Sequence, residues 1–371
     1  MATAVMLAMA LIPASLTTAS AAEAPTATAT AAPGVTVGKQ TTDPNKVRAY
    51  WTSARIKRAL ANEKNDQADI ARDAAVAAKT AASAAEDKTV SAADPAPHLT
   101  AEAPQIRPAQ KTAVSTMAAA ADMSHAEPVP FPESTPAVVV GKIVFIDHAG
   151  NEHGCSGASI AADGNNTVWT AGHCVHPGDG SGADGFYDLV VFIPGYKKNS
   201  EAVGGYDAPW GEWVAKSFVA PNAWTQDKDF NDADMAAFTV EPAQGYTNLT
   251  ATVGALGYKF GYGSDWSDII DSGFPGEGYQ RTDMDGYTQY YCTGNVEDAA
   301  DLNPFDNRLS MDCDMGAGAS GGPMVTSDGQ IVGANSHVET DANDQRINDN
   351  LYSSDHGDNA VAVINQINEL N

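Results

Sequence analysis

From residue 138 to the end, the sequence consists of short apolar or alternating runs separated by clusters of glycine, asparagine and aspartate. Examples are "AVVVGKIVFID", "DLVVFIPGY" and "QIVGANSHV". Valine-rich and isoleucine-rich runs between turn-forming residues are typical of strands, and their number favours an all-β sandwich or a pair of barrels. Residues 358–370 differ, because their apolar residues recur at helical spacing behind an aspartate or asparagine cap, which predicts a C-terminal helix.

Composition divides the chain near residue 137. Residues 1–137 are rich in alanine, threonine, proline and serine, whereas all 4 cysteines and most of the aromatic residues follow later. The first part has few bulky apolar side chains with which to build a core. The sequence therefore predicts one globular part, residues 138–371, preceded by a region that is partly helical or disordered.

Residues 1–21 have the pattern of a secretory signal peptide. An apolar stretch over about residues 5–16 is followed by "ASA" at 19–21, which fits the small-x-small cleavage pattern. No lysine or arginine precedes the apolar stretch, which leaves open a start upstream of Met1. We expect a secreted, extracellular protein without a membrane span, in a compartment where disulfides persist.

Residues 22–137 form a candidate propeptide. Within them, residues 45–88 combine high helix propensity with mixed charge, and Trp51 and Ile56 are among their few bulky apolar anchors. Residues 93–137 carry repeated prolines, which are typical of an extended linker. The alternative is a disordered stalk that the protein keeps permanently.

The acidic charge belongs to the globular part. Residues 138–371 hold 34 Asp and Glu against 9 Lys and Arg, a net charge of −25, while residues 1–137 hold 13 against 12. Like-charge repulsion opposes binding to nucleic acids and anionic membranes, so neither is expected as a partner. A well-solvated secreted surface explains the acidity, with electrostatic steering of a substrate as the alternative.

The stretch "DMGAGASGGP", residues 314–323, places Ser320 in a glycine-rich loop. Such a loop turns sharply and can expose one hydroxyl, which is a weak nucleophile without a base. The stretch "TVWTAGHCV" supplies a candidate base, His173. A disulfide between Cys155 and Cys174 would hold that histidine in place, whereas a zinc site on these residues would lack the usual ligand spacing.

Together the two motifs resemble those of the chymotrypsin-like serine endopeptidases, and within them the secreted bacterial branch that includes the glutamyl endopeptidases. "TAGHC" matches the histidine motif of the family, and "GASGGP" matches its nucleophile loop. The resemblance covers residues 138–371. It implies two perpendicular six-stranded antiparallel β-barrels, over about 138–240 and 241–371, with the active site in the cleft between them.

The resemblance also implies a third catalytic residue, an aspartate just before a strand. In "DKDFNDADMAAFTV" that residue is Asp234, and Asp232 is the alternative. A buried carboxylate here would fix the tautomer of His173 and stabilise the imidazolium that forms when Ser320 loses its proton. The chain order His, Asp, Ser is that of chymotrypsin.

The oxyanion hole and the substrate are placed by the same resemblance. The backbone N–H groups of Gly318 and Ser320 are expected to face the oxyanion of the tetrahedral intermediate. The backbone around Ser336 to Val338 is expected to pair with the substrate residues before the scissile bond. A disulfide between Cys292 and Cys313 would stiffen one wall of the substrate pocket.

Two residues point to different preferences for P1, the substrate residue before the scissile bond. Asp314 lies six positions before Ser320, where trypsin-like members carry the aspartate that binds lysine or arginine. His337 lies near the position where glutamyl members bind a carboxylate, but neighbouring residues of a strand face opposite sides. Glutamate is the single most favoured P1 residue from the branch resemblance, and the choice stays open.

No cofactor and no bound metal are predicted. Aspartate-rich loops such as "HPGDGSGADGFYD" leave calcium as an alternative, although none follows a full EF-hand pattern. The expected partner is a polypeptide substrate and the expected state is a monomer. The expected function is a secreted serine endopeptidase, made as a zymogen and acting through an acyl-enzyme. The alternative is a protease-like binding or adhesion module with a closed cleft.

Maturation is expected to cut the chain between about Glu127 and Ala137. Residues 112–141 contain no lysine or arginine, which excludes a trypsin-like cut there. Ala319, just before the candidate nucleophile, has no carboxylate to receive a new N-terminus as in trypsin-like zymogens. Glu127 and Glu133 are candidate self-cleavage points for a glutamate-specific enzyme.

Overall fold

The computed structural model describes residues 34–85, 97–104, 122–199, 205–299 and 306–370. The predicted signal peptide, residues 1–21, lies outside these ranges. All described residues belong to one unit of the chain, Ala31–Asn371. Within them, no helix combines the length and the apolar character needed to cross a membrane.

The described residues before position 137 form regular elements. These are β1 (Val35–Lys39), α1 (Pro44–Tyr50), α2 (Ser53–Ala85), β2 (Leu99–Ala101) and β3 (Met123–Pro128). Helix α1 begins at a proline, whose fixed φ suits the first helical turn. The side chain of Asp43 caps this helix by accepting hydrogen bonds from the N–H groups of Asn45 and Lys46.

A first closed barrel follows. Its region contains β4 (Val140–Ile146), β5 (Glu152–Ile160), β6 (Thr167–Thr170), β7 (Asp188–Pro194), β8 (Lys197–Lys198), β9 (Tyr206–Asp207), β10 (Trp213–Pro221), α3 (Asn222–Asp227) and β11 (Ala236–Glu241). Strand β10 pairs with both β11 and β7, so the strands β10, β11, β6, β5, β4 and β7 form a closed antiparallel ring. Strand β1 pairs with residues 217–221 of β10, beyond the two residues of β10 that pair with β7.

A second closed barrel completes the chain. Its region contains α4 (Leu249–Val253), β12 (Gly257–Phe260), β13 (Trp266–Gly273), β14 (Tyr290–Asp298), β15 (Leu309–Asp312), β16 (Pro323–Val325), β17 (Gln330–His337), β18 (Asn350–Ser353) and α5 (Asp358–Glu369). Because β16 pairs with both β13 and β17, six strands close into a ring. The prediction of two six-stranded antiparallel barrels with a C-terminal helix is confirmed.

Apolar side chains fill both barrels and the layer around them. Trp51 and Ile56, the anchors singled out in the sequence, are buried with the apolar face of α5 in one cluster. Ala59 of α2 is fully buried in the same cluster. The N-terminal region therefore adds to the core of the barrels instead of standing apart from them, because its few apolar residues pack on a core that already exists.

The proline-rich stretch 93–137 was expected to be an extended linker. In its described parts, β2 pairs antiparallel with β12, and β3 pairs antiparallel with β14 of the second barrel. Extended chain with unpaired N–H and C=O groups readily adds to an open strand edge, which explains why the segment forms strands.

Helix α5 lies where the sequence predicts it, but its cap differs. The residue before the first turn is Gly357, and no side chain caps the helix, while Asp358 lies in the first turn. The apolar residues at helical spacing, Val361, Ile364 and Ile367, are buried against the barrel. Packing of this face fixes the helix more strongly than a cap does.

Candidate active site

The candidate base His173 lies in a short 3-10 turn, Gly172–Cys174, that follows β6. The disulfide Cys155–Cys174 ties the turn to β5, with an S–S distance of 2.04 Å and a Cα–Cα distance of 6.0 Å. A Cβ on the first residue of the turn would lie 2.8 Å from the indole of Trp224, so only glycine fits there. Sequence and cross-link together fix the position of the imidazole.

Asp234 holds His173 through two hydrogen bonds. Its Oδ1 accepts the backbone N–H of His173 at 2.8 Å, and its Oδ2 faces the imidazole Nδ1 at 2.8 Å. Ser336 donates its hydroxyl to the same Oδ2, and the N–H of Asp234 donates to Ser354 Oγ. Burial alone raises the pKa of Asp234, but the charge and hydrogen bonds of His173, with the bond from Ser336, hold it below its ordinary value.

The alternative aspartate, Asp232, is engaged elsewhere. Its Oδ1 accepts a hydrogen bond from Asn307 at 3.3 Å, and its carbonyl accepts one from Asn359 at 2.7 Å. Within the described ranges, no hydrogen bond or ion pair joins it to His173. Burial raises the pKa of Asp232 to about 6, in the opposite direction to that of Asp234.

His173 and Ser320 line one cavity of about 180 Å³. The Nδ1 of His173 faces Asp234, which leaves Nε2 as the nitrogen that can act on a substrate. This Nε2 is buried and has no hydrogen-bond partner among the described residues. The imidazole is thus oriented through Nδ1, and Nε2 is the nitrogen left to accept a proton.

The glycine-rich loop that carries Ser320 is fastened to β5 by Ser156. The N–H of Ser156 donates to the carbonyl of Ser320 at 2.7 Å, and its hydroxyl donates to the carbonyl of Gly318 at 2.7 Å. Gly318 has a φ of 88°, a conformation that favours glycine. No described residue accepts a hydrogen bond from the N–H groups of Gly318 and Ser320, so both can serve an oxyanion.

His337 does not offer a free nitrogen to a substrate. Its Nε2 accepts a hydrogen bond from Arg308 at 2.6 Å, and its Nδ1 lies 2.8 Å from Ser336 Oγ. The ring is buried and stacks on Tyr352. Burial, helped by the charge of Arg308, holds the pKa of His337 well below its ordinary value. A neutral ring then donates from Nδ1 to Ser336, which itself donates to Asp234.

Asp314 is buried and already paired. Its two oxygens lie 3.1 and 3.0 Å from Nη1 of Arg281. One oxygen also accepts the N–H of Ala126 at 2.9 Å, and the other lies 2.7 Å from Nδ1 of His125. The carboxylate therefore joins the nucleophile loop to β3 and to an arginine. A cationic P1 side chain would have to replace these partners.

A second cavity, of about 550 Å³, lies between Gly316 and Val338. Arg346 lines it, while Asp314 does not. The guanidinium of Arg346 donates to five backbone carbonyls, those of Cys313, Asp314, Met315, Asn348 and Asn350. Burial lowers the pKa of Arg346 to about 10, so the group still carries its charge at neutral pH. The cavity wall thus contains a buried cation, together with the carboxylate residues Glu277 and Asp344.

Helix α2 lies across the cleft between these walls. Its Ile70 lines the cavity that contains His173 and Ser320. Near its beginning, Arg55 and Arg58 pair with Glu152 at 3.0 and 2.8 Å. Ion pairs also fasten the helix further along: Arg72 with Asp344 and Asp73 with Lys228.

Between these contacts, Glu63 of α2 inserts its side chain beside Gly318, in the glycine-rich loop that carries Ser320. Both Glu63 and Lys142 are buried, and the carboxylate forms an ion pair with Lys142 Nζ. The same Nζ donates to the carbonyl of Phe274 at 3.1 Å. Burial raises the pKa of Glu63 to about 7, and burial lowers the pKa of Lys142.

Sequence reasoning missed Glu63, Lys142, Ser156 and the arginines that surround Asp314. Lys142 did carry a signal, since it lies in an apolar strand run and is one of only 9 Lys and Arg after residue 137. Glu63 carried none, because a glutamate in a charged helix is ordinary. Its role depends on how α2 docks.

The second disulfide, Cys292–Cys313, joins β14 to the residue before Asp314, with a Cα–Cα distance of 5.8 Å. Both cross-links follow the pairing expected from the sequence. The sulfurs near His173 are bonded to each other, so they cannot act as thiolate ligands for zinc.

Comparison with known proteins identifies one matching family. The family model described as a trypsin-like peptidase domain matches residues 155–333, a span that includes the disulfide Cys155–Cys174, Asp234 and Ser320. A search of curated protein sequences finds no match.

Several solved structures of proteases are similar to this chain. Protease Anisep from Arthrobacter nicotinovorans is 26% identical, with a TM-score of 0.53, over 64% of this chain and 98% of that one. A thermostable serine protease, AL20, from an extremophilic microorganism is 24% identical, with a TM-score of 0.52, over 63% of this chain and 98% of that one. A Glu endopeptidase in complex with MPD is 21% identical, with a TM-score of 0.47, over 67% and 97%.

Proposed function

We propose that the chain is a secreted serine endopeptidase that cleaves polypeptides through an acyl-enzyme, from the premise that its residues 155–333 match a trypsin-like peptidase domain. One observation carries the proposal. The carboxylate of Asp234 holds both the backbone and Nδ1 of His173, while Nε2 has no described hydrogen-bond partner and His173 lines one cavity with Ser320. Two disulfides and a set of protease neighbours support an extracellular enzyme.

In this mechanism, Ser320 Oγ attacks the scissile carbonyl carbon and its proton passes to His173 Nε2. The carbonyl oxygen becomes an oxyanion that accepts hydrogen bonds from the N–H groups of Gly318 and Ser320. His173 then gives its proton to the leaving amine, and the C–N bond breaks. Water attacks the ester in the same way, with His173 as base, and Ser320 recovers its proton. Asp234 stays ionised throughout.

The test is active-site labelling with a fluorophosphonate probe and peptide hydrolysis. The processed wild-type protein is expected to react with the probe and to hydrolyse peptides, whereas Ser320→Ala and His173→Ala each lose almost all turnover, because these residues act as a unit. An unlabelled, processed wild-type protein would favour the alternative, a binding or adhesion module with a closed cleft.

We further propose that residues 22–137 are a propeptide that inhibits the enzyme. Helix α2 supports this, because it lies where a substrate must pass. Residues 127–137 include exposed positions suited to cleavage, among them Phe131, which is 64% exposed. A cut there breaks the covalent link between β3 and the barrels but leaves both β3 and α2 held by their own contacts. N-terminal sequencing of the secreted form tests this, and a chain beginning before residue 112 would contradict it.

For P1 we propose glutamate. The carboxylate of Asp314 is neutralised by Arg281, and Arg346 places a positive charge in the wall of the cavity next to Gly316. A carboxylate side chain gains from that charge, while lysine or arginine loses. Profiling the activated enzyme on a peptide library tests the preference, with Ser320→Ala as the blank. Cleavage after lysine or arginine that disappears in Asp314→Ala would overturn it.

A further inference from the structure

A buried carboxylate from outside the barrels, that of Glu63, occupies the cleft next to the glycine-rich loop that carries Ser320. Glu63 is 1% exposed and Lys142 is 0% exposed. The Oε2 atom of Glu63 has no hydrogen-bond partner among the described residues. Burying an ion pair removes both groups from water, which costs free energy. A gain in stability therefore does not by itself explain why this pair lies in a cleft.

The space around this carboxylate is made by glycines. A Cβ on Gly154 or Gly318 would overlap the carboxylate oxygens of Glu63, and one on Gly276 would lie 2.6 Å from Oε2. These glycines come from β5, from the segment after β13 and from the nucleophile loop. Their lack of side chains leaves a socket that fits one carboxylate, with a cation at its floor.

Lys142 belongs to the barrel and stays when α2 leaves. It lies on β4, where its backbone pairs with Ser156 of β5 and with Ile193 of β7. Once Glu63 departs, the carbonyl of Phe274 remains as the described hydrogen-bond partner of Nζ. A buried cation without its carboxylate is costly, so the emptied socket attracts another anion.

The wall of the socket shows on which side of Ser320 it lies. Gly154 directly precedes Cys155, whose disulfide to Cys174 lies next to His173. In the proposed mechanism His173 gives its proton to the leaving amine, so this wall adjoins the side of the leaving group. Val338, at the end of the segment expected to hold substrate residues before the scissile bond, lines the other cavity, whose lining does not include Glu63.

We propose that the Lys142 socket is a specificity subsite of the mature enzyme, which binds an aspartate or glutamate side chain of the substrate at the first or second position after the scissile bond. Glu63 occupies this subsite in the precursor as an internal ligand. The proposal rests on the peptidase function proposed above. It concerns the leaving-group side and is independent of the P1 preference.

The test is cleavage of a peptide library by the activated enzyme, with the two positions after the scissile bond varied. We expect kcat/KM to be about tenfold higher with Glu or Asp than with Gln or Asn at one of these positions. Lys142→Met is expected to remove this ratio and Lys142→Arg to keep part of it. Lys216→Met, at an exposed lysine of the same barrel, is the matched control and should leave the ratio unchanged.

The outcomes separate the two proposals. Wild-type enzyme that cleaves the library without an acidic preference at either position overturns the subsite and leaves the peptidase function intact. This result does not depend on whether Lys142→Met folds. An equal acidic preference in folded Lys142→Met also overturns it. Failure of the wild-type protein both to cleave any peptide and to react with a fluorophosphonate overturns the peptidase function and the subsite together.

Discussion

Ser336 donates its hydroxyl to Oδ2 of Asp234, the same oxygen that faces Nδ1 of His173. The hydroxyl in turn lies 2.8 Å from Nδ1 of His337, which is fixed by Arg308. The orientation of the candidate base is therefore set by a chain of buried polar groups that begins at an arginine in the second barrel. Removing one of these hydrogen bonds changes how strongly the carboxylate of Asp234 interacts with Nδ1 of His173.

Ser336→Ala is expected to lower kcat/KM about tenfold and to move the acid limb of the pH profile upward. The hydrogen bond to an ionised carboxylate contributes about 1.5–3 kcal/mol, and its loss raises the pKa of Asp234. Ser159→Ala is the control, since the hydroxyl of this buried serine of β5 has no described hydrogen-bond partner. An unchanged pH profile in Ser336→Ala would show that the hydroxyl is only structural.

Asp234→Asn is expected to reduce kcat by about 10⁴ while leaving the fold intact, because an amide holds the wrong tautomer of His173. Asp232→Asn makes the same chemical change two residues away, at a carboxylate that faces Asn307. This variant should retain hydrolysis within a few-fold of wild type. Steady-state kinetics with circular dichroism as a check of folding decides between the two aspartates, and the reverse ranking would reassign the third catalytic residue.

The uncleaved precursor is expected to hydrolyse peptides faster when α2 cannot dock. Ala59 is fully buried under α2, whereas Ala61 on the same helix is exposed. Ala59→Arg introduces overpacking that costs about 1–3 kcal/mol, so hydrolysis of a small peptide by the uncleaved precursor should rise about tenfold or more. Ala61→Arg, the same substitution on the exposed face, should leave it unchanged. Equal rates in both variants would argue against occlusion by α2.

The chemistry of the site could be predicted from the sequence because each motif is local. The turn before His173 and the loop around Ser320 must use small residues in a fixed order, whatever the rest of the chain does. Asp234 lies two positions before the first residue of β11, which is also a local relation. The barrels follow from short strand-like runs, since strand pairing closes them.

The docking of the N-terminal region could not be predicted, because it depends on contacts between distant positions. Glu152 shows this: it is an ordinary strand residue until Arg55 and Arg58, more than ninety positions earlier, surround it. Gly154 likewise looks like a strand glycine until the carboxylate of Glu63 requires its space. Residue patterns report local conformation, but not which distant surface a helix will cover.

His356 should make the stability of the second barrel dependent on pH. Trp169 donates its indole N–H to Nε2 of His356 at 3.1 Å, and Nδ1 donates to the carbonyl of Ser354 at 2.9 Å. The bond from Trp169 requires the neutral ring, because a protonated Nε2 cannot accept it, whereas Nδ1 donates in both protonation states. Burial lowers the pKa of His356 to about 4 from an ordinary value of 6.5, so the unfolded chain binds more protons than the native state between these values.

The free energy of unfolding should therefore fall as the pH decreases from 6.5 to 4, by up to about 3 kcal/mol from this group alone. Burial raises the pKa of Asp271 to about 7, which acts in the opposite direction, so the comparison must be made between variants. In a Ser320→Ala background, which prevents self-digestion, denaturant unfolding with and without His356→Gln isolates the effect. The stability difference between the two proteins should shrink below pH 6.5 and be constant above pH 7. A difference that stays constant down to pH 4 would mean that His356 titrates alike in both states.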